Sequence, residues 1–253
     1  MTATTWDAPV APTTKHTLAT SVALHLFPGA VLVILYLFLA PLGMKLGLPP
    51  LLTSCALAVT VLGPLEIGHL LRIARRNSGR WSLRGAVDLP PPMKLWRYVV
   101  ITLGLVAASI AVYAVSLPAD RWFGSRIMGL LPSWYDFFRV DPYRHLGAGV
   151  LVALLVLRFL ADVVVTSTAE ELYFRGYLLP RIPGPAWLAP IINAALFAIY
   201  HFWQPYNWPS IFCFTLPMIL AVWRTKDVRL SIATHVTMNL IGFVAFAAAV
   251  LRP

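Results

Sequence analysis

Adjacent carboxylates stand inside a long apolar run in the C-terminal half of the chain. Glu170 and Glu171 are followed by Arg175, four residues after the second of them. On a helix, Glu171 and Arg175 can form an ion pair, whereas Glu170 points about 100° away and has no local partner. An unpaired carboxylate removed from water can act as a general base. It can equally cap or bind a neighbouring helix, so both interpretations stand at this point.

Two further groups place polar residues on one helix face inside apolar runs. Phe197 and His201 are four residues apart, as are His235 and Asn239. Taken alone, each group is typical of hydrogen bonding between membrane helices. Taken with a carboxylate, an imidazole can hold and deprotonate a water, and an imidazole with a carboxamide can donate to a developing oxyanion. The combination predicts a hydrolase that cleaves a peptide bond with water directly.

Other hydrolytic mechanisms have less support. The chain contains neither a GxSxG nucleophile motif nor an HExxH zinc motif. Glu170, His201 and His235 could still supply three ligands to a zinc ion with one open position, and zinc would then activate the water. We therefore predict a site without a cofactor, with zinc as the alternative.

Apolar helices must hold these groups. The chain is 59% hydrophobic and 12% charged, whereas soluble domains are roughly half apolar and a quarter charged. A membrane span needs about 20 predominantly apolar residues. The candidate spans are residues 18–40, 51–74, 97–117, 146–169, 186–203, 208–224 and 229–251. The sequence thus predicts an all-α, polytopic transmembrane bundle of about seven to eight helices.

The remaining segments divide the chain into three predicted parts. Residues 1–17 read as a loose tail, 18–145 as N-terminal membrane helices with an amphipathic linker, and 146–253 as the catalytic core. The fourth span is predicted to continue as helix to about Leu179, ahead of a proline cluster. The aromatic and arginine-rich segment 118–145 is predicted to be an interfacial helix or a short eighth crossing.

The net charge of +10 lies mainly between the spans. This pattern indicates membrane topology and contact with anionic lipid headgroups, and not nucleic acid. Two loops that fall on the same side of the membrane are basic. The loop between the second and third spans has one acid, Asp88, and seven basic residues: Arg72, Arg75, Arg76, Arg80, Arg84, Lys94 and Arg97. The loop between the sixth and seventh spans has the basic residues Arg224, Lys226 and Arg229. The positive-inside rule places both loops and the N-terminus in the cytoplasm, which suggests a bacterial inner membrane protein.

Two more polar pairs need an interpretation. Arg158 and Asp162 are four residues apart and are predicted to form an ion pair that makes both tolerable in lipid. Glu66 and His69 have the spacing of a carboxylate metal motif. Because only one copy is present, we favour a role beside the site or at a helix interface.

The three motifs also resemble a known family. EExxxR (Glu170, Glu171, Arg175), FxxxH (Phe197, His201) and HxxxN (His235, Asn239) occur in the order typical of the CPBP family. That family contains the CAAX-processing endopeptidases and bacterial relatives linked to bacteriocin processing and self-immunity. The resemblance covers about residues 150–245, while residues 1–145 match only in being membrane-spanning.

The resemblance implies an intramembrane glutamic endopeptidase that acts on a peptide or protein at the membrane. In it, Glu170 and His201 would activate the water, and His235 with Asn239 would form the oxyanion site. The supporting residues would be Glu171, Arg175 and Phe197. The rival hypotheses are a non-catalytic immunity or scaffold protein with the same cavity, and a proton-coupled transporter.

The depth of these groups sets a condition on the fold. At 1.5 Å per residue, His201 would lie about 20 Å from a helix start at residue 186, and His235 about 10 Å from its own start. The groups meet if the helices tilt or if the fifth helix begins later. We therefore predict that this helix starts near Pro190.

Overall fold

A computed structural model describes residues 14–135 and 140–252, and within these ranges the regular structure is helical, with no strand. Counting the 3₁₀ and π turns that continue them, the main helices are α1 (Leu18–Lys45), α2 (Pro50–Ser78), α3 (Leu95–Leu130), α4 (Ala148–Arg181), α5 (Ala186–Tyr200), α6 (Trp208–Thr225) and α7 (Val228–Leu251). The predicted all-α bundle is confirmed. Residues 1–13 of the predicted tail and residues 136–139 of the predicted linker lie outside the described ranges.

Of the helices in the described ranges, five are long and apolar enough to cross a membrane: α1, α2, α3, α4 and α7. Within the described ranges the seven predicted apolar segments are all helical, and two of these helices, α5 and α6, fall short of this criterion. The predicted spans 186–203 and 208–224 are helical, but α5 is only about 22 Å long at 1.5 Å per residue. It ends at Tyr200, and the chain turns back through a short loop into α6. This loop brings the residue after α5 into the interior of the bundle.

The third helix is longer than predicted. It runs past Pro118 to Leu130, so residues 118–130 extend α3 and form neither a separate interfacial helix nor an eighth crossing. Proline removes one helical hydrogen bond, but α3 packs along α6 on both sides of it. Asp120 also accepts a hydrogen bond from the backbone N–H of Ser210 at 2.9 Å. Asp120 thereby caps the start of α6 and ties it to the extension of α3.

The fourth helix carries the EExxxR motif. It is continuous from Ala148 to Arg181, which confirms that the helix reaches Leu179. Two stretches of it are π-helical, Phe159–Thr166 and Glu171–Leu178. π turns in α-helices occur frequently at functional sites. The second π stretch begins at one of the two adjacent glutamates.

The basic loops meet at one end of the bundle, called here the basic end. Asp227 accepts hydrogen bonds from Arg229 Nε at 2.7 Å and from the Tyr98 hydroxyl at 2.6 Å, and Arg229 donates to Pro90 O. Burial opposes ionisation of Asp227, but the hydrogen bonds from Arg229 and Tyr98 outweigh it and hold the pKa of this carboxyl below its ordinary value. The ion pair fixes the start of α7 against the α2–α3 loop.

The described end of the N-terminal tail lies at the same end. Lys15 Nζ donates to Ile182 O at 3.1 Å, and the backbone N–H of His16 donates to Arg181 O at 2.9 Å. The described start of the chain and both basic loops therefore share one side of the bundle, as predicted. Their position in the cytoplasm stays a prediction.

Candidate functional site

The adjacent glutamates lie deep in the bundle. Glu170 is 2% exposed and Glu171 is fully buried. Glu171 Oε1 lies 3.2 Å from Arg175 Nη1, which confirms the predicted ion pair. The same oxygen accepts a hydrogen bond from His235 Nδ1 at 2.8 Å, a contact that the sequence did not indicate. Because an ionised carboxylate only accepts, the proton of this bond is on Nδ1. Glu171 thus fixes the orientation of the His235 ring.

That orientation turns the other ring nitrogen towards Glu170. His235 Nε2 lies 4.0 Å from Glu170 Oε2. The separation is too long for a direct hydrogen bond, but one water can contact both atoms, since each hydrogen bond to water spans about 2.8 Å. Within the described residues, the contacts of Glu170 come from α5 and α7 and not from α4. The carboxylate is therefore free of a local ion pair, as the sequence predicted.

A tyrosine joins Glu170 to a third carboxylate. The Tyr200 hydroxyl lies 2.8 Å from Glu66 Oε1 and 3.3 Å from Glu170 Oε1, and all three side chains are buried. A phenol has one proton to donate, so the Tyr200 hydroxyl cannot form equally strong hydrogen bonds to both carboxylates. A Cβ at Gly29 would lie 2.1 Å from the carbonyl oxygen of Tyr200, so only glycine lets α1 come this close. Glu66 accordingly lies beside the site, in agreement with the role favoured from the sequence.

We expect Tyr200→Phe to lower the rate of any reaction that uses Glu170 by about 10- to 100-fold, because a hydrogen bond to a charged group contributes about 1.5–3 kcal/mol. Tyr173→Phe is the matched control, since its buried hydroxyl donates to the Leu24 carbonyl at 2.8 Å and, among the described residues, to no carboxylate. Thermal unfolding in detergent and turnover should be measured for both variants. Equal losses of turnover in the two would contradict a special role for Tyr200.

The second motif lies where α5 ends. α5 opens with a 3₁₀ turn at Ala186–Leu188, and its α-helical part begins at Ala189 with Pro190 in the first turn, close to the predicted start. His201 follows the last helical residue, and its Nδ1 contacts Phe197 O at 2.8 Å. A carbonyl only accepts, so Nδ1 carries the proton and Nε2 is the basic nitrogen of the neutral ring. Trp208 Nε1 donates to His201 O at 3.1 Å and fixes the backbone there.

Phe197 connects the three motifs. Its ring packs against the His201 ring at 4.7 Å and the His235 ring at 6.4 Å between centroids. The Arg175 guanidinium carbon lies 3.8 Å from the centre of the same ring. Such cation–π contacts stabilise a desolvated guanidinium. Phe197 therefore packs against the ion pair and both histidines.

Asn239 lies about one turn beyond His235 on α7. Its Nδ2 donates to Asp162 O at 2.8 Å and to Ser167 Oγ at 3.0 Å. Both amide hydrogens are thus used in holding α7 against α4. Asn239 can donate to another group only if one of these two bonds is exchanged.

The remaining two polar pairs differ in whether their members contact each other. Arg158 Nε lies 3.1 Å from Asp162 Oδ2, which confirms the predicted ion pair. His69 packs on Tyr173 and Tyr177, whereas Glu66 bonds to Tyr200, so the two residues contact different neighbours. Among residues 14–135 and 140–252, no three His, Cys, Asp or Glu side chains are placed to share one metal ion.

Sequence reasoning missed a buried polar network beside the site. His25 and Asn193 are fully buried, and their side chains contact each other at 3.1 Å, Nε2 to Nδ2. Asn193 Nδ2 also donates to Phe174 O, and His25 Nδ1 bonds to Ser21 O. The network joins α1, α4 and α5. Its signal was available, since a histidine and an asparagine inside apolar runs need partners.

Comparisons with known proteins agree with the motifs. Residues 152–241 match the family model described as type II CAAX prenyl endopeptidase Rce1-like, and this segment contains all three motifs. The resemblance to the CAAX protease family is confirmed over these residues. No curated protein and no solved structure matches the chain. The match places residues 152–241 with a peptidase family, and together with the five apolar helices it supports an integral membrane protein.

Proposed function

We propose that this chain, through its Rce1-like segment, is an intramembrane endopeptidase whose water is activated by Glu170 and His201. Its substrate is a membrane-associated protein or peptide. The observation that carries the proposal is the pair Glu170 Oε2 and His235 Nε2, buried and 4.0 Å apart. A water held there would lie next to a carboxylate that has no ion-pair partner on its own helix. Tyr200 holds Glu170 through Oε1, and Glu171 holds His235 through Nδ1.

Glu170 is the proposed general base. As the water oxygen attacks the carbonyl carbon of the scissile bond, one proton of the water moves to Glu170. Glu170 then returns the proton to the leaving nitrogen when the carbon–nitrogen bond breaks. A positioned base of this kind contributes about 10²–10⁴-fold to the rate. Burial removes competing water from the carboxylate and makes its interactions stronger.

His201 is the proposed partner of the base. Its proton is on Nδ1, so Nε2 can accept a hydrogen bond from the water. The ring is held by Phe197 and by the end of α5. This orientation would keep the lone pair of the water directed at the substrate carbon.

His235 and Asn239 are the proposed oxyanion group. When the His235 ring carries two protons, Nε2–H can donate to the oxyanion, while Glu171 stabilises the imidazolium through Nδ1. Asn239 would donate after exchanging its bond to Ser167 for the oxyanion. Arg175 and Phe197 support Glu171 and so act through it.

The membrane location completes the proposal. The basic end carries the described start of the chain and the arginine-rich loops, which the positive-inside rule places in the cytoplasm. We propose a bacterial inner membrane enzyme with this orientation. The proposed site lies inside the helix bundle, so we expect the substrate to lie in or beside the bilayer.

The test compares membrane proteomes of cells that carry the wild type, Glu170→Ala or His201→Ala. We expect at least one precursor to accumulate in both variants, with its cleaved product present only in the wild type. Asp162→Asn is the control, since it removes a carboxylate of α4 that pairs with Arg158. If both site variants fold and still process every peptide, the proposal fails and the non-catalytic immunity or scaffold hypothesis is favoured.

A further inference from the structure

A cavity of about 340 Å³ lies at the basic end, away from the Glu170–His235 pair. It is bounded by the last turns of α4 and α6 and the first turns of α5 and α7. Much of its wall is apolar, including Leu179, Ala189, Val222 and Trp223. Small-molecule sites in proteins typically have volumes of about 300–1,000 Å³. The cavity is thus large enough for a ligand.

Its rim is strongly cationic. Lys15, Arg181 and Lys226 line it, against one acid, Asp88. Each of the three cations makes a backbone hydrogen bond, to Ile182 O, Tyr177 O and Trp223 O respectively. An ammonium has three donors and a guanidinium five. Unused donors therefore remain on every rim cation.

The inner wall includes Arg175, which is 1% exposed. Its Nη1 lies near Glu171, but Nε and Nη2 make no hydrogen bond within the part of the chain that the structure describes. Leaving a buried charged donor unsatisfied costs more than about 1–3 kcal/mol. An acceptor supplied from the cavity would satisfy it.

We propose that this cavity binds the phosphate group of an anionic lipid. Cationic pockets between membrane helices on the cytoplasmic side are suited to phosphate headgroups, and guanidinium groups bind phosphate through paired hydrogen bonds. The apolar wall favours a ligand with an acyl chain over free phosphate. This inference concerns the basic end and does not depend on whether Glu170 is catalytic.

The experiment uses the full chain, reconstituted in nanodiscs of phosphatidylcholine with added phosphatidylglycerol. Lipids retained after detergent extraction are counted by native mass spectrometry. The cavity variant is Lys15→Gln, Arg181→Gln and Lys226→Asn together, with asparagine chosen because Lys226 has φ of 59°. The control variant is Arg75→Gln, Arg76→Gln and Arg80→Gln, which removes the same charge from exposed residues outside the cavity.

We expect the wild type and the control to retain phosphatidylglycerol, and the cavity variant to bind it at least about tenfold more weakly. Lys15→Arg with Lys226→Arg should retain binding, and thermal unfolding shows whether each variant folds. An equal loss in the control variant would overturn the proposal. So would displacement of the lipid by inorganic phosphate or by a short peptide carboxylate at the same concentration, since either would identify a different occupant.

Discussion

Glu170→Gln is expected to lower the rate constant of peptide hydrolysis by about 10²–10⁴-fold while leaving the fold unchanged. The glutamine oxygen can still accept a hydrogen bond from the Tyr200 hydroxyl, which lies 3.3 Å from Glu170 Oε1. An amide cannot take a proton from water, so the general base is lost although the shape of the side chain is kept. The measurement is single-turnover cleavage by the purified protein, with the accumulated precursor of the proteomic comparison as substrate.

The informative control is Asp162→Asn, a carboxylate-to-amide change on the same helix. Asp162 pairs with Arg158, and its side chain is 38% exposed. Its backbone oxygen, which Asn239 contacts, is unaffected by the change. We expect this variant to cleave within a few fold of wild type. Retention of full activity by Glu170→Gln would refute the glutamate mechanism, whatever the behaviour of the control.

A zinc mechanism gives a different result in the same assay. If Glu170, His201 and His235 held zinc, a chelator would inactivate the wild type, and added zinc would restore it. The glutamate mechanism predicts no response to either treatment. The chelator experiment therefore separates the two hypotheses without any mutation.

The helices could be predicted from the sequence because apolar runs report burial in lipid directly. The errors lie where tertiary contacts override local signals. The third span was predicted to end at residue 117, yet packing on α6 and the Asp120 cap carry α3 to Leu130. The run 186–203 indicated a full span, but the chain turns after Tyr200, where the Tyr135 hydroxyl donates to Phe202 O and Trp208 bonds to His201.

The site was predictable only within single helices. Spacing of four residues gave the ion pairs Glu171–Arg175 and Arg158–Asp162, and both are present. Spacing says which residues share a face, but it does not say which faces meet. The contact of Glu171 with His235 and the link from Glu66 to Glu170 join different helices. They could not be derived from the sequence.

The contact from Glu66 also bears on the predicted division of the chain. Residues 18–145 are predicted to be N-terminal membrane helices with an amphipathic linker, and residues 146–253 to be the catalytic core. Glu66 belongs to the first part, yet it reaches the hydroxyl that contacts Glu170. Gly29, on α1, approaches the backbone of the same tyrosine. The division stays a prediction, and the N-terminal helices build one wall of the site.

Arg175→Met is expected to have the largest effect on stability, lowering the free energy of unfolding by about 3–5 kcal/mol. Both Arg175 and Glu171 have side chains with no exposed surface, so the substitution leaves a buried carboxylate without its cation. It also removes the guanidinium that packs on the Phe197 ring. Thermal unfolding in detergent measures the loss. Arg158→Met is the control, because its partner Asp162 is partly exposed, and we expect a clearly smaller loss.

The double variant Glu171→Gln with Arg175→Met separates stability from chemistry. Removing both charges leaves no uncompensated buried ion, so much of the lost stability should return. Hydrolysis should stay at least about a hundredfold below wild type, because His235 no longer has a carboxylate at Nδ1 to hold its ring and stabilise its protonated form. Recovery of both properties would mean that Glu171 serves only to neutralise Arg175. Recovery of stability alone would assign Glu171 a second task, orienting the histidine that faces Glu170.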